Sequence, residues 1–341
     1  MQIIQKNFIE VESDWQKELA NSFTRPDTLL EYLGLDPNKY RSHFDARQLF
    51  PMRVPRYFAS LMESGNWHDP LLQQVMPHSN EYLDFEGFLP DPLQEQKTTS
   101  PGILHKYQSR VLLIVKGGCA INCRYCFRRH FPYQQNAMSK GDWISVFSSI
   151  QQDKNINEVI LSGGDPLMAK DSHLSWMCQQ IEQIPHIKRL RIHTRLPVVL
   201  PQRINAEFLA WLTQSRLQKV MVLHINHGNE ISPLLAEKVA KLNASKVTVL
   251  NQAVLLKGIN DTLDSQVNLH EASFSAGIIP YYLHLLDKVK GAGHFDVSHE
   301  KAVTLAQELL TKLPGFLVPK LVREIPGESS KTPVDLYANQ S

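Results

Sequence analysis

The chain has 341 residues, 43% of them apolar and 21% charged, a globular balance that excludes wholesale disorder and fibrous classes. Its 36 basic and 34 acidic residues leave a formal charge of +2, without the cationic excess of a nucleic-acid-binding chain. No basic stretch followed by an apolar run opens the sequence, and dense apolar runs such as Val111–Val115 are far too short to span a bilayer. A cytoplasmic protein is expected, with no membrane partner and no direct nucleic-acid partner.

Residues 1 to about 95 read as irregular and helical, with helices expected at Trp15–Ser22, Pro26–Leu33 and Arg56–Glu63. Pro26 suits a first helical position, where the N–H it lacks would have no partner. Asp91-Pro92 and the run from Lys97 to Gly102 read as a linker. After residue 103, β-branched runs recur at Val111–Val115, Glu158–Leu161, Arg189–His193, Val220–Ile225, Val247–Val254 and Ile278–Leu283. Their starts lie 47, 31, 31, 27 and 31 residues apart, the spacing of βα units in a parallel sheet. The segments between carry helical stripes, such as Leu174, Met177, Ile181 and Ile184, or Leu235, Val239 and Leu242 after the Ser232-Pro233 cap. A seventh apolar run, Phe316–Val318, leads into a last strand. Six βα units and a final strand fit a β/α barrel or a doubly wound sheet, and both place chemistry at the C-terminal strand ends.

Cys119, Cys123 and Cys126 follow the first strand as Cys-x3-Cys-x2-Cys, and the fourth cysteine, Cys178, belongs to a helical stripe. Three thiolates cannot pair among themselves without leaving one over, but they can converge on a soft metal centre. A [4Fe–4S] cluster on three cysteines keeps one iron open, whereas a zinc site would need a further ligand such as His130. Leu161-Ser162-Gly163-Gly164-Asp165-Pro166 ends the second strand, and paired glycines there permit close backbone approach. No acid occurs from residue 96 to 141, an interval holding Lys97, Lys106, Arg110, Lys116, Arg124, Arg128, Arg129 and Lys140. Guanidinium groups in such a stretch can grip carboxylates.

The cysteine octet resembles the signature of radical S-adenosylmethionine (SAM) enzymes, in which the open iron chelates the methionine part of SAM. On that resemblance Tyr125 lies near the adenine, and Gly163, Gly164 and Asp165 form the motif that holds the methionine amino group. Longer strings extend the likeness. They include Cys126-Phe127-Arg128-Arg129, Arg195-Leu196-Pro197-Val198-Val199-Leu200-Pro201, Asn226-His227-Gly228-Asn229-Glu230, Leu250–Asp261 and Lys331-Thr332-Pro333-Val334. In order and spacing they resemble the lysine 2,3-aminomutases, over roughly residues 100 to 335.

The resemblance implies a mainly helical extension over 1–100, a radical SAM core over 101–325 folded as an α/β partial (β/α)6 barrel, and a C-terminal segment, 326–341. It implies a [4Fe–4S] cluster on Cys119, Cys123 and Cys126, SAM, and a second cofactor, pyridoxal 5′-phosphate. Lys331 matches the Schiff-base lysine, with Lys106, Tyr107 and Arg110 near the phosphate and ring. Arg128 matches the partner of the substrate carboxylate. Asp287 and Glu324 match the two acids for the distal ammonium, Glu324 standing where the family has aspartate. Asn251 and Gln252 match contacts to SAM. Free L-lysine is the implied substrate, and an external one-electron reductant is needed. No cysteine follows Lys331, so the structural zinc of the lysine-fermenting branch is not expected. The short form resembles the branch that passes (R)-β-lysine to a ligase modifying elongation factor P. A radical SAM enzyme acting on a protein-bound lysine or on another partner protein is the alternative. The oligomeric state stays open.

Overall fold

Parallel strands need long crossovers, so the repeat spacing demands a helix after each strand. The computed structural model of the chain describes residues 14–97 and 102–338. It contains one nine-stranded sheet whose spatial order follows the chain. The strands are β1 (Ile103–Leu104), β2 (Arg110–Lys116), β3 (Glu158–Gly163), β4 (Arg189–Thr194), β5 (Gln218–Leu223), β6 (Val247–Val254), β7 (Ile279–His284), β8 (Lys320–Arg323) and β9 (Thr332–Pro333). From β2 to β8 every pairing is parallel. The two-residue strands β1 and β9 close the edges antiparallel. An order that never reverses excludes the doubly wound arrangement, which needs a switch point. The two edge strands do not pair with each other, so the α/β sheet is a partial barrel of six βα units and a final strand.

The six expected strands match the observed ones within two residues at each start. The run Phe316–Val318 does not form a strand. It lies between Pro314 and Pro319, forms a short turn over Gly315–Leu317, and leaves Phe316 62% exposed. The helix expected over Arg56–Glu63 stops at Ala59. Beyond it, Met62 N–H turns back to Ala59 and Glu63 N–H donates to Asp69. Helices not singled out in the sequence run over Lys140–Gln152 and Leu263–Ser275, each opened by a capping box at Ser139 and Thr262. The expected linker falls partly outside the described residues, as does the opening of the chain up to residue 13.

Leu29, Phe58 and Leu72 of the extension share one apolar core with Leu113, Leu161 and Met221 of the barrel. Polar contacts reinforce the join. Tyr57 Oη donates to Ser232 Oγ at 2.7 Å. Glu81 accepts from Arg124 Nη2 and Arg129 Nη2 at 2.5 and 2.7 Å, with all three side chains sealed from water. Arg124 also donates to the carbonyls of Phe50 and Ala46 at 2.7 and 3.1 Å. Among the described residues no helix is long and apolar enough to cross a membrane.

Removing the one carboxylate between two buried guanidinium groups leaves both unpaired, so Glu81→Ala should cost about 3–5 kcal/mol. Urea unfolding followed by circular dichroism measures this, and a loss under about 1 kcal/mol, the range of exposed pairs, would show that Glu81 is not their main counter-charge.

Candidate active site

The C-terminal strand ends carry the polar residues. The cysteine loop follows β2, and the end of β3 closes against it. Gly164 N–H donates to the Lys116 carbonyl at 2.7 Å and Asp165 N–H to the Gly118 carbonyl at 3.0 Å. A side chain on Gly164 would sit 2.7 Å from the Gly117 oxygen and 2.8 Å from the Gly118 oxygen. Gly163 has φ +128, and a Cβ there would lie 2.4 Å from the Lys116 oxygen, so this crossing of two backbones requires glycine. Asp165 accepts from Thr194 Oγ1 (2.7 Å) and from the N–H groups of Leu167 (3.0 Å), Arg195 (2.8 Å) and Leu196 (3.0 Å). Its carboxylate thereby ties the end of β3 to the end of β4.

All three cysteines of the loop are half-buried free thiols. Burial, and then Cys126, push the Cys119 thiol well up; burial, and then Cys123, push Cys126 up to about 11. The three thus lie close enough to disfavour one another's thiolates. Among the described residues no group of three His, Cys, Asp or Glu is arranged to hold a metal ion. A zinc ion draws its thiolates to about 2.3 Å, whereas a four-iron cluster spreads them over separate irons. His130, which could complete a zinc site, turns its Nε2 to the Lys290 carbonyl at 3.3 Å. Cys119 and Cys126 line a cavity of about 610 Å³, shared with Arg53, Arg128, Arg129 and Tyr133.

Arg195, just past β4, is the hub of a buried network. Its Nη1 lies 2.8 Å from Cys123 Sγ and also donates to Tyr125 Oη, while Nη2 donates to Gln74 (2.8 Å) and Glu230 (2.9 Å). Tyr125 Oη also accepts from Asn226 Nδ2 at 2.6 Å. Asn251 turns both ends of its amide to the Ile225 backbone, at 2.9 and 3.0 Å; it splints β6 to the loop after β5. Gln252, at a register shift between β6 and β7, meets His224 at 3.1 Å and keeps its Oε1 buried without a partner among the described residues.

The second cluster of charge forms through the β8–β9 pairing. Arg323 faces Thr332 in the register, which brings the next residue on one side, Glu324, against the preceding one on the other, Lys331. Glu324 accepts from Lys331 Nζ, and from Lys106 Nζ at 2.9 Å. Burial opposes the Glu324 charge, but Lys331 and Lys106 hold its pKa below the ordinary value. Arg110 stacks on the Tyr107 ring at 3.6 Å, and Lys331 Nζ stands 5.7 Å from the centre of Tyr282. The Asp287 carbonyl accepts from Val289 N–H at 2.7 Å, while its carboxylate makes no hydrogen bond or ion pair among the described residues. Burial lifts its pKa to about 7, Lys331 and Arg128 oppose that rise, and Glu324 and Glu95 add to it.

His193, His224 and His284 sit at the ends of β4, β5 and β7. Burial pushes all three down, His224 to about 3, so they are neutral imidazoles. The Nε2 atoms of His193 and His284 are buried without partners among the described residues. Sequence reasoning missed His224, His284, Glu230 and Gln74. The two histidines carry one signal, a polar residue closing an apolar run.

The structure also gives Arg128 a partner that the sequence did not. Glu95 Oε2 accepts from Arg128 Nε at 2.6 Å and Oε1 from Nη2 at 2.9 Å. Glu95 is the last acid before the acid-free stretch, which was its only sequence signal.

A family model for the radical SAM superfamily matches residues 113–262. The chain is 51% identical to the L-lysine 2,3-aminomutase of Escherichia coli K12, over 96% of both chains. It is 51% identical to that of Haemophilus influenzae, over 98% of both. The Clostridium subterminale enzyme of the same name is 31% identical over 94% of this chain and 78% of its own. A solved radical SAM methyltransferase from Sphaerobacter thermophilus superposes with a TM-score of 0.46 at 15% identity, over 65% of this chain and 68% of that one. The family model and the sequence relatives define the class: the chain is a radical SAM protein. Within that class it belongs to the L-lysine 2,3-aminomutase family.

Membership of the superfamily implies a [4Fe–4S] cluster and SAM. The donor set fits, since Cys119 and Cys126 line a cavity, Cys123 is their neighbour in the same loop, and three thiols leave a fourth position for a ligand. A polar ligand further along the strand ends also has orphaned atoms to meet, at His193, Gln252 and His284.

Gly164→Ala should force the cysteine loop off β3, because the colliding atoms are backbone oxygens that cannot rotate away. Iron bound after anaerobic reconstitution is expected to fall at least severalfold while the far-ultraviolet spectrum stays folded; wild-type iron content would show that the loop tolerates the displacement.

Proposed function

We propose that the chain isomerises L-lysine to β-lysine by a radical 1,2-shift of the amino group, using pyridoxal 5′-phosphate beside the cluster and SAM. The observation that carries the reading is the set of opposite charges at one end of the barrel. Arg128, Asp287 and the Glu324–Lys331 pair, from three distant stretches of the chain, act on one another's charge there, with Glu95 and Lys106 beside them. A free dibasic amino acid is complementary to that set.

In this reading Cys119, Cys123 and Cys126 would hold the cluster, and reduction there would supply the carbon radical that takes hydrogen from the substrate. Lys331 would anchor pyridoxal phosphate, with Lys106, Tyr107 and Arg110 around its phosphate and ring; when bound, the cofactor would supply the conjugated system that allows an amino group to move between neighbouring carbons without release. Glu324, which contacts Lys331 Nζ and is held ionised by its lysine neighbours, would join Asp287 as the second acid for the distal ammonium. Arg128 orients the substrate carboxylate through a two-pronged grip. Asp287 receives the distal ammonium, and losing its unpaired state offsets part of the cost of burying that charge. Gln252 keeps an acceptor for SAM. Gly163, Gly164, Asp165 and Asn251 serve the SAM site by fixing the loops that surround it, and Tyr125 serves it by its place between the cluster loop and the Arg195 network. The neutral histidines add no positive charge against a cationic substrate. The 51% relatives of nearly equal length support the short branch, so we place the enzyme in the cytoplasm, drawing on an external one-electron donor and supplying (R)-β-lysine to a ligase that modifies elongation factor P.

The test is anaerobic incubation with reductant, SAM, pyridoxal phosphate and L-lysine, followed by chiral separation. β-Lysine dependent on every component is expected; no β-lysine from protein loaded with both cofactors would overturn the reading. Cys123→Ala should abolish both iron binding and product. Lys331→Ala should lose the near-ultraviolet or visible band of bound pyridoxal phosphate, and persistence of the band would place the anchor elsewhere.

Asp287 gives a pH signature. The ammonium of lysine stays charged to about pH 10, so only the ionised form of Asp287 pairs with it. With its pKa raised to about 7, pairing is present above pH 7 and is lost as pH falls. Lysine Kd should rise about tenfold per pH unit below 7. Asp287→Asn should weaken binding at least tenfold at pH 8 and flatten the profile between pH 6 and 8; an unchanged profile would remove Asp287 from the site.

A further inference from the structure

The guanidinium assigned to the substrate carboxylate is already occupied. Arg128 is buried, and it presents two edges. Its Nη1 donates to the Gly163 carbonyl at 3.1 Å and faces Ser162 Oγ at 3.4 Å. The other edge, Nε with Nη2, carries the two parallel bonds to Glu95. That edge is one of the two that can grip a carboxylate bidentately, and the first edge is already turned to the protein. A ligand carboxylate therefore reaches a two-pronged grip only by replacing Glu95.

The segment that delivers Glu95 is built for the purpose. Leu89 exchanges backbone hydrogen bonds with Lys288 and Lys290, both at 2.9 Å, so the segment begins beside the loop of Asp287. Asp91 then accepts from the N–H groups of Glu95 and Gln96, both at 3.0 Å, and Gln96 Nε2 donates to the His130 carbonyl at 3.2 Å. The strap thus crosses from the ammonium end of the site to the carboxylate end. The Glu95 side chain is 19% exposed while that of Arg128 is 9% exposed. Glu95 can recover water by a side-chain rotation; Arg128 cannot, and needs an anion at all times.

We propose that Glu95 is a specificity residue, an internal stand-in for the substrate carboxylate that yields its seat on Arg128 only to a ligand bringing a carboxylate of its own. This rests on the lysine reading above. Free lysine exchanges one carboxylate for another and leaves Arg128 paired throughout. Lysine within a peptide, or with its carboxyl amidated, offers no charge in exchange, so Glu95 stays and the site remains shut. The stand-in lowers the affinity for every ligand that must displace it, and this sets a threshold that uncharged groups do not pass. It selects free amino acid over protein-bound lysine, the choice that the sequence left open.

The experiment is equilibrium dialysis of labelled L-lysine and L-lysinamide against protein loaded with cluster and pyridoxal phosphate, without reductant and therefore without turnover. Glu95→Gln keeps the shape and one acceptor of the side chain and removes its charge. It should tighten lysine binding about tenfold, and bring lysinamide, which should not bind the wild type measurably, into the measurable range. Glu95→Asp keeps the charge and should stay nearer the wild type. Unchanged or weaker lysine binding in Glu95→Gln, or equal tightening in both variants, overturns the inference and leaves the lysine reading standing. A wild type that binds no lysine removes both.

Discussion

The buried triad of Glu81, Arg124 and Arg129 is the constraint on which the site depends. Arg124 lies between the second and third cysteines and Arg129 follows the third, so the short cluster loop is gripped on both sides by one carboxylate. That carboxylate comes from the extension, not from the barrel. The loop has no regular structure to hold its shape, and its thiols disfavour one another as anions. Without the triad the extension would lose the charged contact that reaches both sides of the cluster loop, and the apolar core beneath carries little directional information.

A second level of order comes from how each polar residue at the strand ends is used. Asp165 and Asn251 match their backbone neighbours with nearly every acceptor and donor they have. They fix distances between strands in a barrel that does not close. Gln252, His193 and His284 do the opposite, keeping buried atoms without partners among the described residues. Buried polar atoms are normally matched, so the unmatched ones at these strand ends are free to meet a ligand. The division separates frame from working surface within residues that look alike in sequence.

The sequence disclosed the fold through repeat spacing, because one βα unit needs about thirty residues and β-branched runs mark its strands. Periodicity alone left barrel and doubly wound sheet open; the strand order decided between them. The run Phe316–Val318 leads into the last strand as expected, and the prolines on both sides keep the run itself a turn. The cysteines and Lys331 were legible because their chemistry is tied to local strings. Glu95, Glu81 and the Arg195 network were not, since each joins residues more than thirty positions apart and a charged residue in a loop reads as solvated. The acid-free stretch explains both the success and the failure. It pointed to anions, and it hid that one of them is supplied by the protein one residue outside the window.

The open barrel has a colloidal consequence. A sheet with two free edges is a template for adding strands from another molecule. Here each edge ends in a strand of only two residues, running against its neighbour. The outer one contains Pro333, which has no N–H to offer an incoming chain. The molecule can therefore keep the gap in its barrel without offering two long free edges for copies to extend.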